Sequence, residues 1–221
     1  MMYKHRKEKL EVQETAAQKR RENSAVMLKW LKPMFVLLVI AEVVGLFSDT
    51  LSKFIAPAAV MVFSLALVVT QFLHAYFLHN MKNVCSRYGD AAKFMLIAAV
   101  LGIAQLFGNI PGTVLSVIAV IIGAVGLVMM LISVYHEYHA HSDAVVDYDG
   151  DLAECWEKLW KWKIGTMIAM FGGAVFVPMF GLLVLILMFA ASIASIVIEI
   201  AELVYIRRMI SQFEWNTEAD G

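Results

Sequence analysis

The sequence predicts an all-α integral membrane protein with about six transmembrane helices arranged as three hairpins. Composition, a series of long apolar runs and the segregation of the basic residues predict it. Of the 221 residues, 61% are hydrophobic and only 17% are charged, with a mean hydropathy of +0.72, whereas soluble domains carry about 25% charged residues. A water-soluble core could not hide this apolar excess, so we expect lipid to surround most of the chain.

The apolar runs define six candidate spans. A transmembrane helix needs about 20 predominantly apolar residues. The candidate spans are 30–48, 54–79, 94–110, 113–135, 164–180 and 182–206. The last two come from one apolar run that is too long for a single crossing. We divide it near Pro178 and Gly181, because both residues disfavour the continuation of a helix.

Charged segments flank and interrupt this polytopic membrane domain of residues 30–206. Residues 1–29 form a charged N-terminal segment without the apolar region of a cleavable signal. We expect it to be a solvated charged helix or leader, or else a basic anchor on anionic lipid. Residues 136–163 are predicted as a cytoplasmic loop, and residues 207–221 as a cytoplasmic tail.

The second half of that loop predicts an amphipathic helix before span five. Asp151 followed by Glu154 is typical of a capping box, with Asp151 as the N-cap. An amphipathic stripe then follows at helical spacing: Leu152, Cys155, Trp156, Leu159, Trp160 and Lys163. We interpret the helix as interfacial, with its tryptophans among the lipid headgroups.

The basic residues fix the predicted orientation. Seventeen of the eighteen Lys and Arg residues lie in residues 1–32, in the tail or in the loops that follow spans two and four, all on the same side, and Lys53 is the exception. Cytoplasmic loops of membrane proteins are enriched in Lys and Arg. The sequence therefore predicts a multi-pass protein of the plasma (inner) membrane with both termini in the cytoplasm.

An internal repeat is a further prediction. The pattern His-x-Tyr-x-x-His ends span two as His74–His79 and follows span four as His136–His141, and Tyr205 near the end of span six stands in a fainter third version. Related hairpins would form a ring or bundle. Such repeats occur in transporters, with sites at the repeat interface, but they also arise by duplication of a stable hairpin.

Glu42 lies near the middle of span one. A charged side chain at the centre of a membrane helix costs about 2.5–3.5 kcal/mol. Glu42 should therefore face the interior of the bundle or be protonated. It either forms a structural hydrogen bond with another helix or belongs to an ion or proton site.

A second group of ionisable residues is predicted to converge in one layer near the cytoplasmic surface. The group consists of His74, His136, Glu199 and Glu202, with Tyr76, Tyr138 and Tyr205 in supporting positions. His139 and His141 are expected to lie further out, in solvent. The layer could bind a transition metal, ligate a haem, or relay protons. Alternatively, its members are structural residues at the membrane interface.

These observations leave three functional hypotheses. The first is a small transporter, channel or membrane-complex subunit that handles a proton, an ion or a small solute. The second is a membrane-embedded enzyme that holds a metal or haem through His74, His136 and Glu199 or Glu202. The third is a structural or assembly factor. No catalytic or nucleic-acid-binding motif is present, so the expected partners are the lipid bilayer, other membrane subunits or further copies of the chain.

Overall fold

A computed structural model of the chain describes residues 2–51, 57–108 and 113–218, and the side chains of 13–45, 62–104, 117–170 and 181–218. These residues form six helices and no strand. The helices are α1 (Met2–Leu51), α2 (Pro57–Met81), α3 (Ser86–Gly108), α4 (Thr113–Val145), α5 (Gly150–Phe180) and α6 (Leu182–Glu218). The all-helical class predicted from the sequence is confirmed.

The helices form a closed ring. Each helix packs against the next one along the chain, and α6 packs against α1. Over their described residues, α1, α2, α4 and α6 are long and apolar enough to cross a membrane. This finding supports the membrane assignment, whereas the count of six spans and the hairpin arrangement stay predictions.

Large apolar side chains are exposed on the outer surface of the ring. Val120 and Leu183 are each 71% exposed, and Phe189 is 69% exposed. Large contiguous apolar surfaces are rare on soluble monomers, but they are the surfaces that lipid chains cover. The exposed side chains therefore agree with a bilayer around the ring.

Most of the tightly packed core lies at one end of the ring, which we call the basic end and which carries the turns at 82–85 and 146–149. Trp156, Tyr88, Tyr138 and Phe213 are among its largest fully buried side chains. They belong to one cluster of buried residues to which all six helices contribute. The basic end thus packs like the core of a soluble helical protein.

The loop predicted at 136–163 is helical except at residues 146–149. Helix α4 continues ten residues past the predicted end of span four, to Val145, and α5 begins at Gly150. Both extensions bury apolar side chains in the core, Ala140 and Ala144 from α4 and Leu152 from α5. Tertiary packing of an amphipathic face stabilises these helical segments beyond the apolar runs. A hydropathy pattern does not predict such segments, because they are not uniformly apolar.

The predicted interfacial helix is the first part of α5, and its N-cap was assigned to the wrong residue. The side chain of Asp149 accepts the backbone N–H of Leu152 at 3.0 Å, whereas Asp151 is exposed. Trp156 is fully buried in the core and does not lie among headgroups. The stripe was read correctly as amphipathic, but periodicity does not say whether lipid or protein covers the apolar face.

Helix α1 is continuous through the predicted leader. Its 50 residues correspond to a length of about 75 Å, more than twice a hydrocarbon layer of about 30 Å. Residues 13–22 are exposed along their whole length. This placement fits a charged helix in solvent, and the alternative of a lipid anchor stays a prediction.

The long apolar run divides at Gly181, as the sequence predicts. Helix α5 ends at Phe180 and α6 begins at Leu182. Gly181 has φ +52°, a left-handed conformation that glycine adopts without the steric cost a Cβ would bring. A single residue is therefore enough to end one helix and start the next.

Candidate functional site

A cavity of about 310 Å³ lies inside the ring, towards the basic end. All six helices contribute to its wall. The polar and ionisable side chains that line it are Glu42, Thr70, Gln71, His74, Glu137, Tyr138, Lys163 and Glu202. The ring therefore has an apolar outer surface and a concentrated set of ionisable side chains inside. Burying such side chains in a membrane domain costs free energy, and they are typical of ion and proton pathways.

A second cavity, of about 470 Å³, adjoins the first between α2, α3 and α4. The two share Leu67, Gln71 and Met130 as lining residues. The second cavity is lined mainly by aliphatic and glycine residues and contains no ionisable side chain. The charged groups are thus confined to the first cavity, which we call the acidic cavity.

The most buried pair in the acidic cavity joins α2 to α4. His74 Nε2 lies 2.8 Å from Glu137 Oε1, and the two side chains are 11% and 2% exposed. A buried carboxylate without a partner would be costly, since the ionised group loses its hydration. Each side chain therefore compensates the burial of the other.

The network continues from Glu137 to α3. His141, one turn further along α4, places its Nε2 3.6 Å from Glu137 Oε1. The Nδ1 atom of His141 lies 2.8 Å from the Tyr88 hydroxyl. Tyr88 follows the 82–85 turn and lies outside the predicted spans, and burial raises its pKa well above the usual tyrosine value. Tyr88 is therefore a neutral hydroxyl at physiological pH.

The opposite wall of the acidic cavity is formed by α1, α5 and α6. Tyr138 donates a hydrogen bond to Glu202, and Ser195 donates one to Glu199 at 3.2 Å. Lys163 Nζ lies 3.7 Å from Glu199 Oε1. Glu42 is within electrostatic reach of both α6 glutamates and of Lys163.

Carboxylates outnumber cations in this group. The glutamates are Glu42, Glu137, Glu199 and Glu202, and the one lysine is Lys163. With all four glutamates ionised, the formal charge of the group is negative even if His74 and His141 both carry a proton. Among the described side chains, neither Glu42 nor Glu202 takes part in an ion pair with Lys, Arg or His. The acidic cavity is therefore suited to a positively charged ligand.

The residues predicted to form one layer are only partly brought together. Glu42, His74 and Glu202 line the acidic cavity, and Glu199 lies beside it, paired with Lys163. His136 points elsewhere: its ring stacks on Phe94 with centroids 5.8 Å apart. No hydrogen bond or ring contact joins His136 to His74 in the described part of the chain.

The three predicted supporting tyrosines have different surroundings. Tyr138 is buried and bonded to Glu202. Tyr76 is 54% exposed and packs its ring edge-on against Trp30. Tyr205 packs edge-on against Trp156. Only Tyr138 therefore belongs to the polar network.

Sequence reasoning missed Glu137, Tyr88 and Lys163, and it misplaced His141. We expected His141 to lie in solvent, but it is fully buried. The error follows from ending span four at 135, since α4 continues to Val145. The i, i+4 spacing of Glu137 and His141 was a usable signal, because it places both on one helix face.

The described side chains do not assemble the ligand set of the metal hypothesis. Among the described side chains, no group of three or more His, Cys, Asp or Glu residues is placed to hold a metal ion. His74 is bonded to Glu137, and His136 does not face it.

Comparisons with family models, with curated proteins and with solved structures give no significant match. The functional argument therefore depends on the geometry of this chain.

Proposed function

We propose that the chain is a small membrane transport protein that binds a small cation in the acidic cavity and passes it across the bilayer. One observation carries the proposal. Three glutamates, Glu42, Glu137 and Glu202, line a cavity at the centre of a ring whose outer surface is apolar. Ionisable residues within membrane helices mark ion and substrate pathways.

Charge and size define the ligand class. The negative group favours a cation, and the carboxylates of Glu42 and Glu202 are the ones not engaged by a cationic side chain among the described residues. The volume of about 310 Å³ is at the lower end of the range for small-molecule sites, about 300–1,000 Å³. We therefore propose an inorganic monovalent cation or a small protonated amine.

The test is flux in proteoliposomes that contain the purified full chain. The probes are rubidium, sodium and methylammonium as radioactive tracers, each measured as exchange against the same unlabelled ion. We expect exchange of at least one probe by the wild-type chain. Glu42→Gln and Glu202→Gln should each slow it by about tenfold or more, since a lost charged hydrogen-bond acceptor is worth about 1.5–3 kcal/mol.

The matched control is Glu157→Gln. Glu157 is an exposed glutamate on α5 outside the acidic cavity, so its replacement should leave exchange unchanged. Wild-type exchange at the rate of empty liposomes would overturn the proposal and would favour the structural or assembly role. Equal exchange by wild type and both cavity variants would overturn it as well.

A further inference from the structure

A line of buried polar groups leaves the acidic cavity towards the basic end. It runs from His74 on α2 to Glu137 and His141 on α4 and ends at Tyr88 on α3. Successive atoms are separated by 2.8 Å, 3.6 Å and 2.8 Å. Two of these groups, His74 and Glu137, line the cavity. Tyr88 lies three residues beyond the turn at 82–85.

The far end of the line reaches groups at the surface. Cys85 and Asp143 are the charged or titratable neighbours of Tyr88 on that side. Cys85 donates a hydrogen bond to Asp143 at 3.7 Å, and Arg87 Nε lies 3.3 Å from the same carboxylate. The Asp143 side chain is 48% exposed. The line therefore ends within electrostatic reach of a carboxylate that is in contact with water.

His141 has the geometry of a relay residue. One of its ring nitrogens bonds Tyr88, while the other, Nε2, is buried at 3.6 Å from Glu137 and has no hydrogen-bond partner among the described residues. The Trp156 ring lies against the imidazole with centroids 4.5 Å apart and shields it from solvent. A small movement of Glu137 or of the imidazole would bring Nε2 into hydrogen-bond distance.

The ionisable groups that face this line are few. His74 faces Glu137 and Glu202, and Glu137 faces both histidines, Tyr88 and Glu202. Across the cavity, α5 contributes Lys163, and α1 contributes Glu42, which reaches Glu202. The line thus meets the proposed cation site through Glu202.

We infer that His74, Glu137, His141 and Tyr88 conduct protons between the acidic cavity and the aqueous surface at the 82–85 turn, so that cation transport is coupled to proton movement. The inference rests on the proposed function. In the inward step, Tyr88 transfers its hydroxyl proton to His141 Nδ1 and regains one from the water side, while His141 Nε2 releases its proton to Glu137. The imidazole then turns about its Cβ–Cγ bond, which presents the protonated nitrogen to Glu137 and the unprotonated one to Tyr88 before the next step, and no group is oxidised or reduced.

The experiment separates coupling from cation binding. Exchange of labelled for unlabelled cation needs no net proton transfer, whereas net uptake driven by a pH gradient does. We expect Tyr88→Phe and His141→Gln to lower net uptake of the probe cation by about tenfold or more and to leave exchange intact. Tyr76→Phe, which removes the hydroxyl of an exposed tyrosine on α2, is the matched control and should change neither rate.

The outcomes distinguish the two proposals. Full net uptake by both variants, with exchange intact, overturns the relay and leaves the transport function standing. If the wild-type chain exchanges no probe cation faster than empty liposomes do, the transport function itself is overturned.

A second measurement tests the relay without any flux. The ring ¹⁵N resonances of His141 are recorded in detergent-solubilised chain and assigned with His141→Gln. We expect them to show both neutral tautomers of the imidazole in exchange, with a balance that Tyr88→Phe shifts. A single fixed tautomer would overturn the relay whatever the flux assay gives.

Discussion

At the scale of single residues, Glu137 connects two histidines in the wall of the acidic cavity. Its carboxylate holds His74 across the ring and lies beside His141 on its own helix. Breaking a buried ion pair by removing one partner is strongly destabilising, because it leaves the other partner uncompensated. The stability of the ring and the chemistry of the acidic cavity therefore depend on the same side chain.

We predict that Glu137→Ala lowers the free energy of unfolding in detergent micelles by about 3 kcal/mol. Glu137→Gln should lose less, because the amide can still hydrogen-bond His74. Denaturant titration followed by circular dichroism measures both. Glu157→Ala is the control, since an exposed glutamate should change stability by less than about 0.5 kcal/mol. Equal losses at the two positions would show that the buried pair contributes nothing.

At the scale of elements, Asp149 joins two helices. One carboxylate oxygen caps the start of α5 by accepting the N–H of Leu152. The other accepts from Arg208 at 2.7 Å and from Gln212 at 3.3 Å, both on α6. A single side chain thus fixes the start of one helix against the end of the next.

We predict that Asp149→Ala lowers the free energy of unfolding by about 2 kcal/mol, since it removes a helix cap worth about 1 kcal/mol and ionic hydrogen bonds besides. Asp151→Ala is the matched control two residues away. It should cost less than about 1 kcal/mol, which is the usual value of a carboxylate near a helix N-terminus. Thermal denaturation of the two variants in detergent compares them. A larger loss at Asp151 would restore the capping box predicted from the sequence.

Helices α2 and α3 approach each other closely at Gly102. A Cβ built there would lie 3.4 Å from Val68 Cγ2 and 3.8 Å from Gln71 Oε1. We predict that Gly102→Ala is tolerated and that Gly102→Leu lowers stability by about 1–3 kcal/mol through overpacking. Gly165→Leu is the control, because no atom lies within 4 Å of a Cβ at Gly165. If the two leucine variants unfold at the same denaturant concentration, the close approach is not a constraint.

At the scale of the whole molecule, the prediction concerns sidedness. In a chain whose Cys85 and Cys155 are replaced by serine, Gln18→Cys should react with a membrane-impermeant maleimide only after the cells are permeabilised. Lys53→Cys, at a position outside the described residues, should react in intact cells. The physical reason is the retention of Lys and Arg on the cytoplasmic side. Labelling of Gln18→Cys in intact cells would reverse the predicted orientation.

Local patterns predicted much of the architecture. Each predicted span falls in a separate helix, apart from residues 54–56 and 109–110, which lie outside the described ranges, and Gly181 divides the last two as expected. The helices continue beyond the predicted spans at the basic end, where hydropathy gives no signal because it detects contact with lipid and not contact with other helices. This is why residues 136–145 and 150–163 were read as loop and interfacial helix.

The candidate site was less accessible to sequence reasoning. Glu42, His74 and Glu202 were singled out because charge within an apolar run is costly. Tyr138, which bonds Glu202, was named as a supporting residue. Glu137, His141 and Tyr88 were not, although Glu137 is the partner of His74. His136 was preferred to Glu137, its neighbour in the chain, because a repeat in the sequence suggested equivalence with His74.

The sequence by itself determined that the chain is helical, that lipid surrounds much of it and where its helices lie, because these properties follow from composition and from periodicity along the chain. Only the tertiary structure decided that α6 closes on α1, that Asp149 and not Asp151 caps α5, and that His74 meets Glu137 and not His136. Such pairings depend on how far each helix is rotated and shifted relative to its neighbours. Successive side chains lie about 100° apart around a helix, so the rotation of a helix decides which of two neighbouring residues lies at an interface. No pattern within a single helix specifies that rotation.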